Sequence, residues 1–68
     1  MLDTEYLRRR RIEEGMRLVD VGEKLGYSSP NGYWRLEQRL TKPRLEHLEK
    51  LAKLFSEPME RFIKQETN

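Results

Sequence analysis

The length, composition and charge of this chain exclude several classes of protein. Its 68 residues, of which 14 are Lys or Arg and 12 are Asp or Glu, allow one small domain with a modest core. With no cysteine and no apolar stretch of membrane-spanning length, the sequence contains neither a disulfide framework nor a transmembrane segment. We expect a soluble, cytoplasmic protein that forms a single domain over residues 1–68.

Local signals bound the first two predicted helices. The first runs from about Thr4 to Glu14, with a capping residue at its start and Gly15 at its end. The second runs from about Leu18 to Leu25, and its cap is poor because Arg17 stands where a Ser or Thr is expected.

The third predicted helix begins with a serine followed by a proline, a good pair for the cap and the first helical position. It runs from about Pro30 to Gln38 and is followed by a loop that contains Pro43. The fourth covers Leu45 to Phe55, and a fifth covers about Met59 to Gln65. Helical spacing, together with the family resemblance described below, predicts a core of Leu7, Met16, Val21, Leu25, Tyr33, Leu36, Leu48, Leu51, Ala52 and Phe55.

The segment from Gly15 to Glu37 is the most informative part of the chain. It predicts two short helices joined by a tight turn, over about residues 18–38. A small residue at Gly22 lets the second helix cross the first closely, and Gly26 can adopt the positive φ that ends a helix. This is the arrangement of a helix-turn-helix, whose second helix can lie in the major groove of DNA.

Residues 4–63 resemble the lambda-repressor-like helix-turn-helix domains of phage repressors, Cro proteins and small bacterial regulators of the xenobiotic-response-element type. The resemblance implies a compact, all-α, five-helix fold and an ion pair of Arg11 with Glu37 that ties the first helix to the third; two unrelated surface charges are the alternative. The residues that carry it are Arg11, Gly15, Met16, Val21, Gly22, Leu25, Gly26, Tyr33, Leu36, Glu37, Pro43, Leu45, Leu48, Leu51, Ala52, Phe55 and Met59.

The chain departs from this family at four places. Its turn, Tyr27-Ser28-Ser29, is one residue longer than usual, which bears on the direction of the third helix. Leu18 stands where the family often has a phosphate-contacting glutamine, and Arg10 stands where it has a core leucine. Gln38 and Arg39 replace the glycine that usually follows the third helix.

Four residues of the third helix are candidates for contacts with DNA bases. Asn31 and Arg35 share one helix face, and their side chains suit adenine and guanine respectively. Gly32 lets a backbone approach closely, and Trp34 can touch a sugar or a thymine methyl group. Alternatively, Pro30-Asn31-Gly32 is only a turn-rich helix start, and Trp34 covers the edge of the core.

Flanking residues are candidates for phosphate contacts, because the segment 18–45 carries five basic against three acidic residues. Each of them has the alternative of being plain solvent-facing surface. The candidates are Arg17, Ser28, Ser29, Arg39, Thr41, Lys42 and Arg44.

No pattern in the sequence indicates catalysis. His47 is the one histidine and has no second metal ligand or nucleophile near it in the sequence, and phosphate-binding glycine loops are absent. We therefore expect no enzyme, no metal and no cofactor.

Three functions are compatible with the pattern. The first is a sequence-specific regulator of transcription that binds double-stranded DNA, a repressor or switch protein of a phage, a mobile element or a bacterial chromosome. The second is an antitoxin or anti-repressor whose main role is to bind a protein partner. The third is an accessory protein of DNA recombination.

A homodimer on an inverted-repeat site is also expected, since one helix contacts only a few base pairs. The chain ends soon after the fifth predicted helix, so we look for the interface within the small domain itself. Met59, Phe62 and Ile63 are the candidate dimer patch, because two adjacent large apolar residues cannot both face one core easily. Alternatively, Phe62 closes the core and Ile63 is an isolated surface residue.

Overall fold

The computed structural model describes residues 1–64 and confirms an all-α architecture, with four α-helices and one short 3-10 helix in that part of the chain. Helix α2 packs mainly on α3, and α1 reaches both α3 and the 3-10 helix. The elements are α1 (Thr4–Glu13), α2 (Leu18–Leu25), α3 (Pro30–Glu37), α4 (Leu45–Phe55) and the 3-10 helix (Met59–Phe62).

The expectation of a fifth α-helix was wrong within the described residues, and Gln65, its predicted end, lies outside them. The segment forms only a 3-10 turn because the chain becomes extended at Ile63, with φ −113° and ψ 119°. Ile63 pairs with Leu2 in an antiparallel bridge, and the Lys64 N–H donates to the Met1 carbonyl at 2.6 Å. The backbone groups that a longer helix would use are thus bonded to the start of the chain.

The ends of α1 and α2 follow the predicted signals, except that a carboxylate within α2 replaces the usual Ser or Thr cap at its start. The Asp3 carboxylate accepts a hydrogen bond from the Tyr6 N–H at 3.1 Å and so caps α1. At the start of α2, the Asp20 carboxylate accepts from the Arg17 backbone N–H at 2.8 Å. This bond compensates for the missing Ser or Thr cap, as the acidic partner of a capping box does. A glycine with positive φ follows each helix: Gly15, with φ +69°, follows α1, and Gly26, with φ +89°, follows α2.

The core lies between the four α-helices and is closed by the two ends of the described chain. Met16, Leu48 and Ala52, which were predicted as core, are only partly buried. Leu2 and Phe62 are buried although the core prediction omitted them. A Cβ at Gly22 would lie 3.3 Å from the Tyr33 Cβ, so α2 and α3 cross closely at this glycine, as expected. The buried apolar residues are Leu2, Leu7, Val21, Leu25, Tyr33, Leu36, Leu51, Phe55 and Phe62.

No helix within residues 1–64 is long and apolar enough to span a membrane.

Candidate nucleic-acid interface

Helix α3 has a buried face and an exposed face, and the exposed face carries the residues that were predicted to contact bases. Tyr33 and Leu36 are fully buried against α2 and the core. Asn31 and Arg35 are exposed, and Trp34 retains 41% of its accessible surface. The helix therefore presents an amide, a guanidinium and an indole together on one surface.

A basic groove of about 670 Å³ lies on one side of this exposed face. Four cationic side chains line it, contributed by α3, by the loop that follows and by α4: Arg35, Lys42, Arg44 and Lys50. Among residues 1–64, no carboxylate lies within 4.0 Å of the Arg35 or Lys42 charge, and the Arg44 guanidinium is 3.9 Å from Glu46. The hydroxyls of Ser28 and Thr41 belong to the same wall.

A second, more apolar groove of about 520 Å³ lies on the other side of α3. The start of α2 forms one wall through Arg17, Leu18 and Val19, and Asn31 and Trp34 form the other. The exposed face of α3 thus stands between two grooves. This shape leaves room on both flanks of the helix for the walls of a DNA groove.

Two predicted contact residues, Arg17 and Arg39, are engaged within the protein, and Ser29 is not. The Arg17 guanidinium lies 3.0 Å from the Asp20 carboxylate, which raises the pKa of Arg17 and lowers that of Asp20. Arg39 has φ +62°, and its Nε donates to the Thr4 hydroxyl at 3.1 Å, so in this structure it points at α1. Ser29 is exposed at the cap position of α3, without a side-chain capping bond.

Gly32 was predicted to let a backbone approach closely, and the structure places the ring of Tyr27 on the side of Gly32 where a Cβ would stand. A Cβ at Gly32 would lie 2.9 Å from the Tyr27 Cγ, closer than a real Cβ approaches its neighbours. The Tyr27 hydroxyl lies 3.2 Å from His47 Nδ1, and the centroids of the two rings are 4.8 Å apart. His47 is accordingly half-buried and not a plain surface histidine.

From the sequence, Tyr27 is expected to be an apolar anchor of the helix-turn-helix and part of its longer turn, but its contacts with Gly32 and His47 were not predicted. The sequence does place an aromatic residue, Tyr27, five positions before a glycine, Gly32. This spacing does not by itself indicate a contact, because the ring reaches α3 only after the turn has folded back.

Arg11 and Glu37 form the inter-helix ion pair that the family resemblance implies. Arg11 Nε lies 2.7 Å from Glu37 Oε2, and Arg11 also donates to the Met16 carbonyl at 3.0 Å. The Glu37 side chain is only 3% exposed, and its hydrogen bond raises the pKa of Arg11. Burial, with the Glu37 carboxylate nearby, raises the pKa of Tyr33, whose hydroxyl has no bonded partner within residues 1–64. The pair fixes the end of α3 on α1.

The candidate dimer patch requires a correction. Phe62 is fully buried, in contact distance of the Tyr6 and Phe55 rings, and therefore belongs to the core. Met59 is partly buried, whereas Ile63 keeps 39% of its surface exposed.

Within residues 1–64, no three His, Asp or Glu side chains are grouped in a way that would hold a metal ion.

Comparison with known proteins identifies the architecture. A family model described as a helix-turn-helix domain matches residues 4–60, which are most of the chain. No curated protein and no solved structure shows a significant match. The match confirms the helix-turn-helix predicted from the sequence and agrees with the lambda-repressor-like resemblance.

Proposed function

Because the chain belongs to the helix-turn-helix domain family, we propose that it is a sequence-specific regulator of transcription that binds double-stranded DNA and acts as a repressor. One observation carries the proposal: the exposed face of α3 bears Asn31, Trp34 and Arg35 and borders a basic groove in which the Arg35 and Lys42 charges have no carboxylate within 4.0 Å among residues 1–64. A helix of this kind fits the major groove, and the cations fit the phosphates beside it.

Each of the three exposed side chains suits a different part of the DNA. The Asn31 amide suits the N6 and N7 atoms of adenine, and the Arg35 guanidinium suits the O6 and N7 atoms of guanine. Trp34 lies beside the apolar groove, where an indole can pack on a thymine methyl group or a sugar.

Lys42 and Arg44 are the phosphate-binding residues that the geometry favours most. Both line the basic groove next to Arg35, and both are exposed. Ser28 and Thr41 supply hydroxyls in the same groove, Ser29 is exposed at the cap position of α3, and Arg17 supplies a charge, paired with Asp20, at the start of α2. Such contacts fix the position of the protein on the duplex without distinguishing sequences.

A protein that occupies a specific duplex blocks other proteins from the same site, which is the simplest route to repression. We further propose two copies on an inverted repeat, since one α3 contacts too few base pairs for useful specificity. Ile63 and the partly buried Met59 remain as apolar surface for such a dimer, without Phe62. Sedimentation with the selected duplex tests this part, and a one-to-one complex on a site lacking an inverted repeat would refute it.

Selection from random duplexes, followed by sequencing of the bound pool, tests the proposed function. We expect one enriched motif for the parent. Arg35→Ala should relax the preference at one base pair, by roughly 1–3 kcal/mol, and leave the other positions unchanged. A parent that enriches no motif, and whose low-salt binding is independent of sequence, would refute sequence-specific regulation. Binding to a protein partner and a role in recombination would then be the hypotheses to test.

A further inference from the structure

We propose that Tyr27, Gly32 and His47 form a clamp that positions the first turn of α3, so that the base preference of the protein depends on residues that need not touch a base. The inference rests on the proposed function. It concerns the turn Tyr27-Ser28-Ser29, which is one residue longer than that of the family the chain resembles.

Tyr27 connects three elements of the fold. Its backbone N–H donates to the Gly22 carbonyl of α2 at 2.9 Å. Its ring lies on Gly32 in α3, and its hydroxyl meets His47 of α4 at 3.2 Å. The ring therefore fills the space between the start of α3 and the flank of α4.

The two ends of α3 are held by different means. From Tyr33 onward it is fixed by the buried residues Tyr33, Leu36 and Glu37. Before Tyr33, Asn31 is exposed and Gly32 has no side chain, and the Tyr27 ring packs on the helix at Gly32. Asn31 is one of the two proposed base-contacting residues. A change in the tilt of this turn would move its amide relative to the base edges.

The hydrogen bond to His47 holds the hydroxyl end of the Tyr27 side chain beside α4. Burial lowers the pKa of His47, which keeps the imidazole neutral at neutral pH and leaves one ring nitrogen able to accept a hydrogen bond from the tyrosine hydroxyl. The tilted stacking of the two rings, at 37° between planes, holds the tyrosine against Gly32.

A double-mutant cycle on the full chain tests the clamp. The four proteins are the parent, Tyr27→Ala, Gly32→Ala and the double variant, each measured for Kd on the selected duplex, on single-base variants of it and on a scrambled duplex. Tyr27→Ala should reduce the ratio of scrambled to selected Kd by about tenfold, the size of one mismatched base pair. Its low-salt affinity for the scrambled duplex should stay close to that of the parent, since the phosphate contacts remain.

Gly32→Ala should cause a similar loss of preference in the parent, because its Cβ displaces the Tyr27 ring. The same substitution should cause no further loss in the Tyr27→Ala background, where the space is open. This non-additivity is the signature of two residues in contact. A folded Tyr27→Ala variant that retains the parental ratio would overturn the proposal. Should Tyr27→Ala fail to fold, a folded Gly32→Ala variant that retains the ratio would overturn it equally.

Two conservative variants separate positioning from a direct contact with DNA. Tyr27→Phe keeps the ring on Gly32 and should retain most of the preference. A uniform loss of affinity for all duplexes in Tyr27→Phe would instead show that the hydroxyl binds phosphate, which would overturn the positioning role. Tyr6→Phe is the matched control, since it removes a tyrosine hydroxyl that is bonded to Glu57 on α1's side of the fold. It should leave the base preference unchanged.

The outcome for the parent distinguishes the two proposals. A parent without a preferred duplex refutes the proposed function itself. The clamp is then judged by thermal unfolding of the same four proteins: Gly32→Ala should lower the Tm in the parent background but not in the Tyr27→Ala background. Equal shifts in the two backgrounds would refute the clamp.

Discussion

Arg10 and Arg11 of α1 carry the same charge as Arg35 and Lys42 of the basic groove, but their surroundings are opposite. Arg10 Nε and Arg11 Nε each lie 2.7 Å from a glutamate oxygen, of Glu57 and Glu37 respectively. Arg35 and Lys42 in the groove have no carboxylate within 4.0 Å among residues 1–64. Net charge therefore says little about which basic residues are available to bind phosphate, because the position of the acidic residues decides it.

The paired arginines hold the fold together. Arg10 stands where the family has a core leucine, yet its guanidinium lies over the Phe55 ring and donates to the Phe55 carbonyl at 3.1 Å. It therefore covers the core with its stem and satisfies the last carbonyl of α4 with its charge. Hydrogen bonds from Tyr6 and then Arg10 lower the pKa of Glu57, the carboxylate at the centre of this cluster.

Removal of a paired arginine should give the largest effect. Arg11→Ala leaves the Glu37 carboxylate buried without its partner, and the free energy of unfolding should fall by about 3–5 kcal/mol. That is a large fraction of the stability of a domain of this size. Thermal unfolding followed by circular dichroism measures it. Arg8→Ala, which removes an exposed arginine of the same helix, is the control and should change stability by less than about 0.5 kcal/mol.

A compensating pair sharpens this test. Arg11→Met combined with Glu37→Leu replaces the ion pair by apolar side chains and should recover much of the loss. If Arg11→Ala melts within a few degrees of the parent, the ion pair does not contribute to the fold as its geometry indicates.

Removal of a cation from the groove should weaken DNA binding and leave the stability of the fold nearly unchanged, the opposite of the effect expected for Arg11. Lys42→Ala should leave the free energy of unfolding within about 0.5 kcal/mol of the parent. It should also lower the slope of log Kd against log salt concentration by about one unit, for the selected and the scrambled duplex alike. Lys53→Ala is the control, since Lys53 is an exposed lysine of α4 that does not line the groove. Equal changes of slope in the two variants would show that the groove is not the phosphate site.

Local signals account for what the sequence could predict. The boundaries of α2 and α4 were predicted to the residue because they depend on apolar spacing and on nearby caps and turns. The 3-10 turn was missed because Ile63 pairs with Leu2, a partner from the other end of the described chain. The role of Gly32 was missed for the same reason, since the Tyr27 ring reaches it only after the turn has folded. The exposed face of α3 was predictable, but the engagement of Arg39 with Thr4 was not.

Two non-glycine residues within the described range 1–64 have positive φ, and they allow a smaller test. Ser56, at the end of α4, has φ +54° and is exposed. Ser56→Gly should raise the free energy of unfolding by about 1 kcal/mol, because the left-handed conformation is costly for residues with a Cβ. Arg39→Gly, at φ +62°, should gain less, since it also loses the hydrogen bond to Thr4. Thermal unfolding of both variants checks this order, which would be contradicted if Ser56→Gly were destabilising.

The smallest expected effect is on the pH dependence of stability, which differs between His47 in the basic groove and Glu57 beside α1. Burial is the main cause of the lowered pKa of His47, so the folded state disfavours its protonated form. The corresponding stability is present above the ordinary histidine value of 6.5 and is lost as the pH falls below it toward the lower pKa of the folded state. The lowered pKa of Glu57 acts in a different pH range, because its contribution to stability is lost only below the ordinary carboxyl value of 4.5.

The Tm of the parent should therefore decrease from pH 7.5 to pH 5.5. His47 is the one histidine of the chain, so His47→Gln should flatten this decrease and leave the acid transition below pH 4.5 in place. A decrease of the same size in His47→Gln would show that the groove does not titrate in this range.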